Sequence, residues 1–181
     1  MQKLQFKNID YIAMSIDLGR PGCMRFVDEI VKSKTTGELP QTHPRVQHLL
    51  KDSYNVIVYQ ENIMALSREM AKFTPSESDG IRKAVGKKDL QKMTSYKDKF
   101  IKQSIENGFP EDFVLDTWKT FEDSGNYLFN RSHAYGYGYL TAITAYLKSN
   151  HTKEFFLSLL KAAKNEQNTL EEISIIEKEM N

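Results

Sequence analysis

The chain has 181 residues, 40% of them apolar, 11% aromatic and 27% charged, and a formal net charge of +1 at pH 7. That length suits one domain, or a domain with a tail, and such an apolar and aromatic content excludes a disordered chain. A single cysteine, Cys23, excludes an internal disulfide, and no apolar run approaches the roughly 20 residues a membrane-spanning helix needs, so the sequence reads as cytoplasmic, with no membrane partner.

The first ten residues alternate polar and apolar groups without a signal-like core. Steps of three and four through Met24, Val27, Ile30 and Val31 predict a first helix after Pro21-Gly22. Lys34 to Gln41 reads as a loop, and Thr42-His43-Pro44 as a helix start with Val46, Leu49 and Leu50 on its buried stripe. Val56 to Tyr59 is β-branched enough for a short extended segment, which enters a helix carrying Ile63, Met64, Leu66 and Met70. At Thr74-Pro75-Ser76-Glu77 a Thr cap, a Pro in first position and a Glu three residues on form a capping box. The helix it opens is expected to break at Gly86. A longer one follows through Leu90, Met93, Phe100, Ile101 and Ile105, ending at Asn107-Gly108. Pro110 starts another, with Phe113, Val114, Trp118 and Phe121 on its apolar face. A loop from Asp123 to Asn130 precedes a long helix through Tyr146 and Leu147 and another through Phe155, Phe156, Leu159 and Leu160. The predicted fold is therefore all-α, an irregular multi-helix domain over residues 1–163. Residues 164–181 continue out of it as an acidic amphipathic helix spaced by Leu170, Ile173, Ile176 and Met180.

The small net charge hides an uneven distribution. Between residues 82 and 102 eight cations (Arg82, Lys83, Lys87, Lys88, Lys92, Lys97, Lys99 and Lys102) face only Asp89 and Asp98, a local net of +6 that leaves −5 for the rest. Such a run is either a solvated helix face or the footprint of a polyanion. Other chemistry is poorly served. His43 and His48 are five residues apart, which does not place both on one helix face as metal-binding histidines require. Neither a G-x-x-x-x-G-K-[ST] phosphate loop nor a G-x-S-x-G elbow occurs. Gly136 and Gly138 lie in an aromatic run and read as points of close helix packing. Glu77 and Asp79 resemble a metal-binding pair, but the capping box already uses Glu77.

Four stretches in this order resemble the fingers of the bacterial C-family polymerase α subunits, the catalytic chains of DNA polymerase III. Arg20-Pro21-Gly22-Cys23-Met24 is similar to the family's R-P-G-P-M, with Cys23 for a Pro. Tyr54 to Glu61, YNVIVYQE, with Tyr59, Gln60 and Glu61 at its end, matches Y-G-V-x-V-Y-Q-E with Asn55 for a Gly. Ile81 to Lys88, IRKAVGKK, which includes Gly86, is similar to L-R-R-A-M-G-K-K with Lys83 for an Arg. Phe129-Asn130-Arg131-Ser132-His133-Ala134, followed by Thr144 to Lys148, is similar to F-N-K-S-H-A and T-A-Y-L-K. The resemblance covers roughly residues 9–160. The family's D-x-D carboxylate pair does not occur in the chain; the palm that carries it would precede Met1.

The resemblance implies a division of labour in which Mg²⁺ ions held by a palm domain or subunit serve in-line nucleotidyl transfer, while the fingers supply cations. This chain would bind no cofactor and alone would polymerise nothing. Arg82, Lys83, Lys87, Lys88, Arg131 and His133 are the implied contacts to the triphosphate of an incoming dNTP, with Arg82 able to grip oxygens bidentately as Lys83 cannot. Lys92, Lys97, Lys99 and Lys102 would meet template-primer DNA. His133 reads either as a pocket residue or as a core histidine, and Tyr137 and Tyr139 as core aromatics or as stacking platforms for bases. A stand-alone nucleic-acid-binding or protein-interaction module derived from polymerase fingers is the alternative.

Overall fold

A computed structural model describes residues 8–19, 23–87, 89–124 and 128–180. The described residues are helical, with helices α1 (Ile9–Leu18), α2 (Val27–Thr36), α3 (Pro44–Gln47), α4 (Gln60–Ala71), α5 (Pro75–Lys87), α6 (Leu90–Glu106), α7 (Glu111–Ser124), α8 (Arg131–Asn150), α9 (Thr152–Ala163) and α10 (Thr169–Met180). Single 3₁₀ turns stand at Met24–Phe26 and Lys51–Ser53. Among the described residues no strand forms; one parallel bridge pairs Tyr59 with Phe129. The all-α expectation holds, and Val56 to Val58 run outside helix before α4. The chain divides into two compact units, residues 1–138 and 139–181.

Helix α1 lay outside the predicted elements. The Asn8 side chain caps it by accepting from the Tyr11 amide at 3.2 Å, and its interior buries Ala13, Met14 and Leu18. Two further boundaries differ from expectation. The helix at Pro44 lasts one turn, because Val46 and Leu50 already reach the core and the chain turns into 3₁₀ geometry at Lys51. Helix α5 runs through Gly86 to Lys87, and α6 starts afresh at Asp89, whose carboxylate accepts from the Lys92 amide at 3.2 Å. Each Gly costs a helix only about 1 kcal/mol relative to Ala, and at Gly86 packing of Ala84 and Val85 offsets it. The capping box at the start of α5 forms in full: Thr74 Oγ1 accepts from the Glu77 amide at 3.3 Å, and Glu77 Oε2 accepts from the Thr74 amide at 2.9 Å. Lys99 adds an ion pair to Glu77, and these hydrogen bonds hold that carboxyl down at about 2.

In the first unit α4, α5, α6 and α7 enclose a core of fully buried side chains that includes Leu66, Met70, Ile81, Phe100, Trp118 and Phe121. Phe100 meets Trp118 and Phe121 at ring centroids 5.5 Å apart, tilted to both as aromatic quadrupoles prefer. The Trp118 indole N–H donates to Glu122 at 2.6 Å, so its one polar atom is satisfied. A second cluster joins α1 and α2 to the extended segment through Met14, Leu18, Cys23, Ile30, Val56, Val58 and Tyr59. Cys23 is fully buried there and serves as a small hydrophobe. Gly138 lets α8 approach α1, since an added Cβ would lie 3.3 Å from the Ala13 amide nitrogen. Gly136 has no such neighbour within 4 Å, so the packing role expected of it falls to Gly138. The second unit has a small core of Phe156, Ala163 and Ile176, with Phe155, Leu160 and Ile173 around it.

Candidate functional site

Tyr59, Gln60 and Glu61 stand where the extended segment turns into α4. Tyr59 is buried, and burial pushes its phenol pKa well up. The turn is fixed by Asn62, whose side-chain oxygen accepts from the amides of Val58 at 3.2 Å and Tyr59 at 2.8 Å. Gln60 makes three bonds: its amide donates to the Phe129 carbonyl at 2.9 Å, its Nε2 donates to the Leu128 carbonyl at 3.2 Å, and its Oε1 accepts from Arg82 Nη1 at 3.0 Å. Glu61 lies at the N-terminus of α8. Its two carboxylate oxygens accept from the Arg131 amide at 3.1 and 3.0 Å, and Oε1 also accepts from Asn130 Nδ2 at 3.0 Å. A carboxylate there meets the unpaired amides and positive end of the helix dipole. The Asn130 side-chain oxygen caps the same helix by accepting from the His133 amide at 3.0 Å.

Arg82 is three-quarters buried on α5. Its Nε and Nη2 donate to Asp79 Oδ1 at 2.9 and 2.7 Å, while the other Asp79 oxygen accepts from Lys83 Nζ at 2.7 Å. The two cations hold the Asp79 carboxyl below the usual carboxylate range, Lys83 contributing most. Gly86 lies one turn beyond Arg82, where an added Cβ would come only to 4.0 Å from Gln60 Nε2. Lys87 is exposed at the end of α5, and among the described residues no carboxylate is within 4.0 Å of it. Arg131 sends Nη2 to Asp52 at 2.6 Å and to the Tyr135 hydroxyl at 3.4 Å, and its guanidinium stands 5.5 Å from the Tyr59 ring centroid. The bond to Tyr135, then that to Asp52, raises the pKa of a group already always charged. Tyr135 in turn hydrogen-bonds Asp10 of α1. His133 is exposed, its ring edge-on to Phe129 and Tyr137 at 4.9 and 4.5 Å, so it is not a core histidine. Tyr137 and Tyr139 are 52% and 61% exposed, which overturns their reading as core aromatics. Ser132 is exposed on the first turn of α8.

The remaining described cations of the basic run each have a carboxylate partner: Lys92 with Asp89 at 3.0 Å, Lys97 with Glu122 at 3.1 Å, Lys99 with Glu77, and Lys102 with Glu106 at 4.0 Å. Arg20, Pro21, Gly22 and Lys88 lie outside the described residues. Among the described residues no group of three or more His, Cys, Asp or Glu could hold a metal ion, and no helix is long and apolar enough to cross a membrane.

Of the segments that meet at Gln60 and Glu61, those on α4 and α5 lie within a stretch that matches a known family. Residues 1–108 match the bacterial DNA polymerase III alpha subunit finger domain. The chain belongs to that family. It is 39% identical over 173 residues to the DNA polymerase III subunit alpha of Aquifex aeolicus, an alignment covering 94% of this chain and 15% of that one. The Chlamydia pneumoniae subunit is 37% identical over 152 residues, 83% of this chain and 12% of the relative. The Thermus aquaticus subunit is 29% identical over 175 residues, covering 93% and 14%. This fingers chain thus spans at most 15% of the length of these relatives. Asp79, Asp52 and the bridging role of Gln60 were not foreseen as part of the site. Asp79 alone had a sequence signal, since it stands three and four residues before Arg82 and Lys83 on one helix.

Proposed function

We propose that the chain acts as the fingers of a DNA-directed DNA polymerase, binding the triphosphate of the incoming dNTP and nearby template-primer DNA during replication. The observation that carries this reading is Gln60, which ties Arg82 on α5 to the Leu128–Phe129 backbone that leads into α8. Beside it Glu61 fixes the amide of Arg131. Three motifs joined across 22 and 70 positions of sequence are thereby linked by hydrogen bonds, as a site assembled from them requires. Arg82, Lys83, Lys87 and Lys88 are assigned to the triphosphate, with Arg131 and His133 from α8; Lys92, Lys97, Lys99 and Lys102 are assigned to template-primer DNA. The task of these groups is to bind and orient anions, because developing charge on a transferred phosphoryl group is stabilised by fixed cations. Mg²⁺ and the carboxylates that bind it are assigned to a palm domain or subunit, in cis or in trans. Exposed Leu140, Ile143 and Tyr146 on α8 support a protein partner of that kind.

The test is a titration of the chain with labelled primer-template at low and moderate salt, alongside an Arg82→Ala/Lys87→Ala/Lys88→Ala variant. Binding that weakens steeply with salt and is lost in the variant supports the assignment; binding that the variant retains refutes it. In an assembled polymerase carrying this segment, Arg82→Ala is expected to raise the nucleotide KM or lower kcat by about tenfold or more, the worth of one charged hydrogen bond.

A further inference from the structure

Every hydrogen bond that the described residues give the Asp79 carboxylate comes from Arg82 or Lys83. It does not cap α5, which starts four residues earlier and is closed by Thr74 and Glu77. One oxygen takes the Nε–Nη2 edge of the guanidinium and the other takes the ammonium of Lys83. That arrangement is how two adjacent cations would share one phosphate, an oxygen to each. With Gln60 on Nη1, three of the five N–H groups of Arg82 are occupied.

We infer that Asp79 is an internal stand-in for a ligand phosphate, a specificity-determining residue that keeps Arg82 and Lys83 side by side while the site is empty and yields them to a polyphosphate. The inference rests on the assignment of these two cations to the triphosphate. One carboxylate charge against two cations leaves a net of +1 at the site. A singly charged anion gains little by exchanging with Asp79, whereas a phosphate chain brings more charge and more acceptor oxygens to the same donors. Asp79 thereby selects for polyphosphates over weak anions and sets their affinity below what the bare cations would give.

Calorimetric titration of the full chain with inorganic tripolyphosphate at fixed ionic strength tests this, comparing wild type with Asp79→Asn, Arg82→Ala and the double variant. Asp79→Asn is expected to bind about three- to tenfold more tightly, the range for no longer giving up two partly exposed ion pairs, and the double variant to lose that gain. Inorganic phosphate should gain by a larger factor than tripolyphosphate, narrowing the preference between them. If Asp79→Asn binds no more tightly while Arg82→Ala abolishes binding, the stand-in role is wrong and the phosphate assignment survives. If wild type and Asp79→Asn both fail to bind, or Arg82→Ala changes nothing, both are wrong. Should Asp79→Asn fail to fold by circular dichroism, the Arg82 Nε–H resonance of the wild type decides: displacement of Asp79 must shift it as tripolyphosphate is added, and a resonance unmoved at saturation overturns the inference.

Discussion

Replacing Glu61 by Ala removes the carboxylate that holds the start of α8, and the cost follows from the bonds lost. The Arg131 amide loses a bifurcated charged acceptor and the Asn130 carboxamide loses a bond, while Asn130 continues to cap the His133 amide. A hydrogen bond to a charged group is worth about 1.5–3 kcal/mol and a carboxylate at a helix N-terminus about 0.3–1 kcal/mol, but water reaches this half-buried position and replaces part of both. The expected loss is about 1–2 kcal/mol in urea unfolding followed by circular dichroism. Glu61→Gln, which keeps the shape and one acceptor, should lose roughly half of that. Amide exchange locates the effect: the Arg131 N–H should exchange faster in Glu61→Ala, while amides in the middle of α6 should not. Because Asn130 donates to the same carboxylate, Asn130→Ala added to Glu61→Ala should cost less than the sum of the two alone. A midpoint change worth less than about 0.3 kcal/mol, or strict additivity with Asn130→Ala, would refute the claim that Glu61 fastens α4 to α8.

Two further expectations concern the frame that carries the basic run. A Cβ added at Gly80 would stand 2.1 Å from the Tyr96 hydroxyl, so Gly80→Ala must push that ring off α5 and is expected to destabilise; in a Tyr96→Ala background the same change should stabilise by about 1 kcal/mol, the ordinary helix gain of Ala over Gly. Equal effects in the two backgrounds by urea midpoint would exclude this packing. The Glu77 carboxyl is held at about 2 by its bonds to Lys99 and Thr74, below its ordinary value of 4.5, so its contribution to stability is present above pH 4.5 and is lost as pH falls toward 2. The margin of wild type over Glu77→Gln should be full at pH 6, shrink below pH 4.5 and vanish near pH 2; a margin that does not change over that window would contradict the shift.

What the sequence disclosed and what it withheld divide along the range of the interactions. The capping box at Thr74–Glu77, the Gly108 stop after α6 and the apolar face of α7 through Trp118 are set by residues within a turn or two of each other, and each formed as its spacing implied. Gly108 holds φ of +84°, which an L side chain disfavours, so its position in sequence already marks the end of a helix. Helix α1 was missed because its apolar residues lie on more than one side: Ile9, Ile12, Ala13, Met14, Ile16 and Leu18 make no single stripe. The long-range bonds that assemble the site are not legible in the sequence. Glu61 meets Arg131 across 70 positions, Arg131 meets Asp52 across 79, and Tyr135 meets Asp10 across 125, and no local pattern announces any of them.

The charge run shows why counting along the chain overstates a surface. Of its seven described cations, six have a carboxylate within 4.0 Å, and for five of those six the acid comes from outside the +6 window: Asp79 for two, and Glu77, Glu122 and Glu106. The fold thus brings distant and helix-neighbouring acids to cations that the sequence lists as a block. A phosphate arriving at any of the six paired groups exchanges with a carboxylate instead of occupying a vacant charge, so the affinity gained is a difference between two anions. That difference is smallest for the most exposed lysines of α6, Lys92 and Lys102, and largest where donors are fixed in number and direction. Arg82, held from two sides by Asp79 and Gln60 and three-quarters buried, is the position where exchange discriminates most among anions.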